Sequence, residues 1–140
     1  MTEMEHRAQC LCGAIALKAR GAPSWAGLCH CQSCRRATGG VLMGAAGFSR
    51  EAVTLERGEM RYYASSPGVR RGFCARCGTA LSYENKRWPK DIHLMIGAFE
   101  QPDLFKPQFH IFAGEQLPWL KLADGLPRYR TTPSAGELMD

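Results

Sequence analysis

Residues 29–34 read CHCQSC, which places Cys29, Cys31 and Cys34 on one short loop. Thiolates are zinc ligands, and zinc in proteins is held tetrahedrally. Three sulfurs from one loop fill three corners and leave the fourth to a histidine, a water or a substrate. The histidines are His6, His30, His93 and His110. His30 sits between two of the ligands and is expected to point away from a metal they share. His93 and His110 are flanked by apolar residues, the pattern of a strand histidine satisfied by a hydrogen bond. An open corner is the best reading, and three protein ligands with one exchangeable position is the usual form of a catalytic zinc.

The other four cysteines form two pairs. Cys10-x-Cys12 precedes Gly13, and Cys74-x-x-Cys77 precedes Gly78. On a strand, residues i and i+2 face the same way, so Cys10 and Cys12 can reach one metal. The second pair is a tight-turn half-site, ended by a glycine free to adopt the left-handed conformation. Pair plus pair predicts a closed structural zinc that clamps the N-terminal segment to a central hairpin. Seven cysteines is an odd count in short-range groups, which fits metal better than a disulfide framework. Two zinc ions per chain follow, one structural and one open.

An open zinc with three thiolates carries a charge of about −1 and is soft, a good host for a thiol bound as thiolate. Arg35 and Arg36 follow the loop directly and are the candidates to offset that charge and hold the carboxylates of an anionic thiol. Arg70 and Arg71, just before the second pair, can join them. His30 is the candidate general base on proximity alone, with orientation of the loop as its alternative role.

The elements that must position these groups read as short strands. A chain of 140 residues that is 45% hydrophobic and 22% charged suits one globular domain, with its core over about residues 8–130 and a loose tail from Thr131. Residues 14–19 read as a strand. Residues 53–63 read as a hairpin turning near Gly58, and residues 72–83 as strand, knuckle, strand. Residues 91–97 form another strand candidate, and residues 49–52 a single helical turn capped by Ser49. Trp25, Trp88 and Trp119 are assigned to the core or its rim. The class is mainly β. Residues 1–8 do not resemble a signal peptide, and no apolar run is long enough to span a membrane. The expected location is therefore the cytoplasm, with no membrane partner. The formal charge of +5 falls to about +2 once seven thiolates and two zinc ions are counted, and no long basic run is present. Nucleic acid is not expected as a partner.

The stretches CLCG, CHCQSCRRATG, GFCARCGTAL, FHIF and LPWL together resemble the glutathione-dependent formaldehyde-activating enzyme family, which also includes centromere protein V. The resemblance runs from about Cys10 to Tyr129. It implies twisted, tent-like antiparallel sheets joined by zinc. It also implies the same partition of ligands: Cys10, Cys12, Cys74 and Cys77 at the structural zinc, and Cys29, Cys31 and Cys34 at the zinc where the glutathione thiol engages. The implied activity joins glutathione and formaldehyde to give S-hydroxymethylglutathione, or splits that adduct as a carbon–sulfur lyase. Two other readings stand beside it. One is a non-catalytic interaction module with two structural zincs. The other is a zinc or redox sensor that releases metal when the three-cysteine loop is oxidised.

Overall fold

The computed structural model describes residues 4–140. Ten strands follow in chain order: β1 Glu5–Gln9, β2 Ala16–Arg20, β3 Trp25–Cys29, β4 Met43–Ser49, β5 Val53–Arg57, β6 Arg61–Ser66, β7 Val69–Phe73, β8 Ala80–Asn85, β9 Asp91–Met95 and β10 His110–Ile111. They build two open sheets, one of three strands ordered β1-β2-β5 and one of seven ordered β10-β3-β4-β9-β8-β7-β6. Pairing is antiparallel except for the short β10, which runs parallel to β3. The architecture is mainly β in a single domain, as the strand-rich reading expects. Among the described residues, no helix is long and apolar enough to cross a membrane.

Side-chain alternation separates two cores. In β2, Leu17 and Ala19 are buried between more open neighbours. They pack with Ala8, Ala26, Ala46, Phe48, Leu94, Phe99 and Phe105 in the space between the sheets. The opposite face of the large sheet carries a second cluster, Cys29, Cys34, Met43, Ala45 and Met95. β4 is buried on both faces from Ala45 to Phe48, as a central strand covered on two sides must be.

Several elements depart from the sequence reading. Residues 53–63 are not a hairpin. β5 pairs with β2 in the small sheet and β6 with β7 in the large one. Gly58, at φ +83°, lies where the chain crosses between sheets, and a β-carbon there would collide with the Ala14 carbonyl. Cys10 and Cys12 are not both on a strand, because β1 ends at Gln9. Cys10–Gly13 is a turn closed by the Gly13 N–H to the Cys10 carbonyl. The turn at Arg50–Ala52 forms with Ser49 at its N-cap, but the serine side chain makes no capping hydrogen bond. Residues 32–38, read as loop, form the one α-helix among the described residues, α1 Gln32–Thr38. Beyond Thr131 the chain makes a turn at Pro133–Ala135, and Met139 donates back to the Arg128 carbonyl at 2.7 Å.

Candidate metal centres

Two matching turns carry the four-cysteine group. Gly13 donates to Cys10 O and Gly78 to Cys74 O, at 3.0 and 2.8 Å, and both glycines have φ +79°. Only glycine adopts that conformation without strain, so each C-x(1–2)-C-G segment closes the same kind of loop around its sulfurs. The Leu11 N–H donates to Thr79 Oγ1 at 3.0 Å and stitches the two turns together. The sulfurs of Cys10, Cys12, Cys74 and Cys77 lie within 4.8 Å of one another. Cys12 Sγ is 3.7 Å from Cys10 Sγ and 3.8 Å from Cys74 Sγ. A tetrahedral zinc with Zn–S of about 2.3 Å needs sulfur edges of about 3.8 Å, so this donor set fits zinc. Cys10 and Cys74 are buried and Cys12 is exposed, so the cluster closes the small sheet onto the β7–β8 hairpin at the edge of the core.

The three-cysteine group is built by the end of β3 and the start of α1. Cys29 ends the strand, and Cys31 is the helix N-cap, its Sγ accepting from the Cys34 N–H at 3.2 Å. A sulfur at the N-cap takes over one of the helix's orphan donors, so helix start and ligand presentation are one feature. Gly39, at φ 73°, ends the helix. The three sulfurs lie within 4.8 Å, with Cys29 and Cys34 at 3.5 Å. No histidine or carboxylate joins them among the described residues, so the protein supplies three ligands and no fourth. Hydrogen bonds from Cys29 and then Cys34 hold the Cys31 thiol far below its ordinary range, and Cys29 is pushed correspondingly up. The Arg71 guanidinium lies 3.8 and 3.9 Å from Cys34 Sγ.

Behind this loop runs a polar chain, buried at its two histidines and open to solvent at Asp124. His30 Nε2 lies 2.8 Å from His110 Nδ1, and His110 Nε2 lies 2.8 Å from Asp124 Oδ2. Burial first, then the charges of His110, Arg128 and Arg35, lowers the His30 pKa to about 4, so the ring is neutral near pH 7. The Asp124 carboxylate can only accept, so His110 donates to it from Nε2. The chain ties the ligand loop to β10 and the C-terminal segment.

In front of the loop lies a cavity of about 680 Å³. Cys29, Cys31 and Cys34 form one wall, Arg71 borders Cys34, and Trp25, Tyr83, Trp88, His93, Phe109 and Phe112 form much of the rest. Arg71 is held in place by Ser65 Oγ, 3.2 Å from Nε, and by the Tyr83 ring, 5.0 Å from Cζ. His93 meets Trp25 edge-on at 4.7 Å and stacks on Tyr83 at 5.4 Å.

Burial lowers the His93 pKa to about 4, against about 6.5 in an unfolded chain. As the pH falls from 6.5, the unfolded chain takes up this proton first. The folded state therefore loses stability between about pH 6.5 and 4, on the order of 2–3 kcal/mol from this group. Urea unfolding across that range is expected to show a shallower pH slope for His93→Phe than for the wild type. Equal slopes would show that His93 is not held neutral.

The structure places the sequence-derived candidates unevenly. All seven cysteines fall into the two expected groups. His30 is fully buried and lies outside the cavity lining. Arg35 and Arg36 sit on α1, also outside that lining. Arg70 is committed to the buried carboxylate of Glu84 at 2.9 Å and lies over the Tyr62 ring. Arg71 is the cation that reaches the cavity. Strand alternation accounts for the split, since neighbours in β7 face opposite ways. Trp25 and Trp88, assigned to core or rim, line the cavity, whereas Trp119 is exposed. A lone tryptophan carries no local signal for this. Trp25-x-Gly27-x-Cys29 in alternation was the available hint, since it puts the ring and the thiol on one face.

Two mainly antiparallel β-sheets, with a four-thiol cluster between them and a three-thiol cluster in a cavity wall, define a β protein whose cysteine groups could hold metal. The family described as glutathione-dependent formaldehyde-activating enzyme matches residues 5–115, most of the chain, and the protein belongs to that family. An uncharacterized lyase of Schizosaccharomyces pombe is 36% identical over 94 residues, covering 66% of this chain and 68% of that one. A Halomonas elongata protein bearing the family's description is 30% identical over 125 residues, covering 81% and 78%. A crystal structure of a Rhodobacter sphaeroides protein shares the fold, with a TM-score of 0.59 at 22% identity over 74% of this chain and 97% of that one.

Proposed function

We propose that this protein is a zinc-dependent carbon–sulfur lyase that binds a small thiol such as glutathione and makes or breaks its aldehyde adduct. The observation that carries the reading is the incomplete three-cysteine cluster, which opens onto a cavity beside a guanidinium. Zinc is the metal whose tetrahedral preference suits both donor sets. Cys10, Cys12, Cys74 and Cys77 would hold a structural ion, and Cys29, Cys31 and Cys34 a second. At the second site the ion would supply Lewis acidity that lowers the pKa of an incoming thiol.

The chain's own residues do the rest. Arg71 offers a fixed positive charge at the mouth of the cluster, to receive a thiolate sulfur or a nearby carboxylate. Cys31, as the helix N-cap, and the His30–His110–Asp124 chain hold the three sulfurs in place. His30, sealed behind the loop, serves as a positioning residue. In the forward direction the C–S bond forms as the carbonyl π bond opens, and the thiol proton passes to the new hydroxyl oxygen.

The test is exchange between glutathione and its hydroxymethyl adduct at equilibrium, followed by NMR with labelled formaldehyde. Zinc-loaded protein is expected to accelerate exchange. Glutathione should bind better than a neutral thiol of similar size, and the preference should shrink with salt. Arg71→Met is expected to reduce that preference about fivefold, equivalent to roughly 1 kcal/mol for a partly exposed charge contact. Exchange no faster than in buffer would overturn the lyase reading. An undiminished preference in Arg71→Met would remove Arg71 from thiol recognition.

A further inference from the structure

We propose that the cavity over the three-cysteine cluster is shaped for an aromatic or similarly bulky apolar group on the carbonyl side of the thiol adduct, so that the substrate is an aromatic aldehyde adduct. The proposal rests on the thiol-adduct reading above and adds the class of aldehyde. The first observation is size. A cavity of about 680 Å³ has room for a ring beside the sulfur-bound end of a small thiol.

The second observation is that the sheet gives up side chains to seat rings. A β-carbon on Gly27 would lie 2.5 Å from Phe109 Cε1 and 2.9 Å from Cδ1. One on Gly47, opposite Trp25 in the β3–β4 register, would lie 2.6 Å from Trp25 Cε2 and closer still to the indole nitrogen. Glycine in a strand interior weakens the strand and often marks a close approach. Here it lets two rings lie against the sheet on the face that carries Cys29. Trp25 and Phe109 are 5.9 Å apart and tilted by 31°. His93 stands on Trp25 and stacks on Tyr83, and Trp88 lies 6.2 Å from His93.

The third observation is charge. Arg71 is the one cation among the described lining residues, and Asp91 and Glu115 are lining acids. Glu115 accepts from the Gln32 N–H at 3.1 Å. One cation suits the sulfur end of a ligand. The aromatic side chains on the β3 side of the lining suit an apolar ring, which gains from offset or edge-on contact with them.

In the reaction, an aromatic aldehyde and a thiol combine. The S–C bond forms, the C=O π bond breaks, and the thiol proton ends on the hydroxyl oxygen, giving a hemithioacetal. Cleavage is the reverse, and neither direction needs an oxidant or reductant.

The experiment uses the zinc-loaded full chain and two thioether probes, S-benzylglutathione and S-methylglutathione, with binding read by tryptophan fluorescence and calorimetry. The benzyl probe is expected to bind at least about tenfold more tightly, in the range by which apolar pockets discriminate. Trp88 is about 41% exposed and can be altered with little cost to the fold. Trp88→Ala should shrink the benzyl preference several-fold, and Trp88→Phe should largely restore it. Equal binding of the two probes would overturn the proposal, as would a preference unchanged in Trp88→Ala. A benzyl preference that follows Trp88, in a protein that fails to accelerate C–S exchange, would uphold the cavity assignment and overturn the lyase reading alone.

Discussion

Replacing Cys77 with serine is expected to leave the chain without a cooperative fold. Cys77 is one of four sulfurs that tie the turn after β1 to the turn between β7 and β8; Cys12 and Cys74, in van der Waals reach across the cluster, are 62 residues apart in sequence. A structural zinc contributes on the order of 10 kcal/mol or more to folding in small domains, while the net stability of a domain is about 5–15 kcal/mol. Losing one of the four ligands weakens the metal clamp between two distant segments, and a large part of that contribution goes with it. Circular dichroism and thermal melting of Cys77→Ser should show lost strand signal and no sharp transition, with poor recovery of soluble protein. A variant that melts within a few degrees of the wild type would remove this cluster from its structural role.

Replacing Cys34 with serine is expected to abolish thiol binding while the fold persists. The loop from Cys29 to Cys34 is local, and its sulfurs join no distant segments. Cys34 is buried against Met43, Ala45 and Met95, so exchanging sulfur for a hydroxyl costs roughly 1–2 kcal/mol in packing and lost contacts. That corresponds to a fall in melting temperature of several degrees. The larger effect is on the site: with two thiolates left, the open centre should lose its metal, and glutathione affinity should fall more than a hundredfold, the scale of removing a metal ligand outright. Zinc content should drop from two equivalents toward one. If Cys34→Ser unfolds as badly as Cys77→Ser, the second centre is structural too, and a non-catalytic interaction module becomes the better account.

The two variants differ because the same residue type is used at two contact ranges, and that difference was legible in the sequence. Cys10-x-Cys12 and Cys74-x-x-Cys77 need each other, since two ligands make half a site. Cys29, Cys31 and Cys34 do not need them. Metal chemistry limits both ligand type and number, so the sequence alone determined the partition into four and three. It also determined the strand-rich class, because alternation and turn residues act within a few positions. The glycines at 13 and 78 were readable for the same reason: a positive φ is a local demand.

What the sequence could not settle depended on which strands pair. Residues 53–63 carry the pattern of a hairpin, yet β5 and β6 go to different sheets. A turn glycine fixes the direction of the chain locally and does not select a partner strand. The α1 helix was hidden for a related reason, since its N-cap is a cysteine whose ligand spacing reads first as a metal loop. In sequence Arg35 and Arg36 stood out as candidates because they follow the ligand loop, with Arg70 and Arg71 only as possible additions. Register and alternation turned Arg71 toward Cys34 and Arg70 toward Glu84, while α1 placed Arg35 and Arg36 outside the cavity. The aromatic lining was least visible of all. Trp25, the stretch over residues 83–93 and Phe109 are far apart in the chain, and only the placing of β3, β4, β9 and β8 side by side brings them onto one cavity. The sequence by itself determined the two cysteine groups that could hold metal, because coordination is a property of residue type and short spacing. The tertiary structure decided what stands in front of them, because a cavity is a property of strand order.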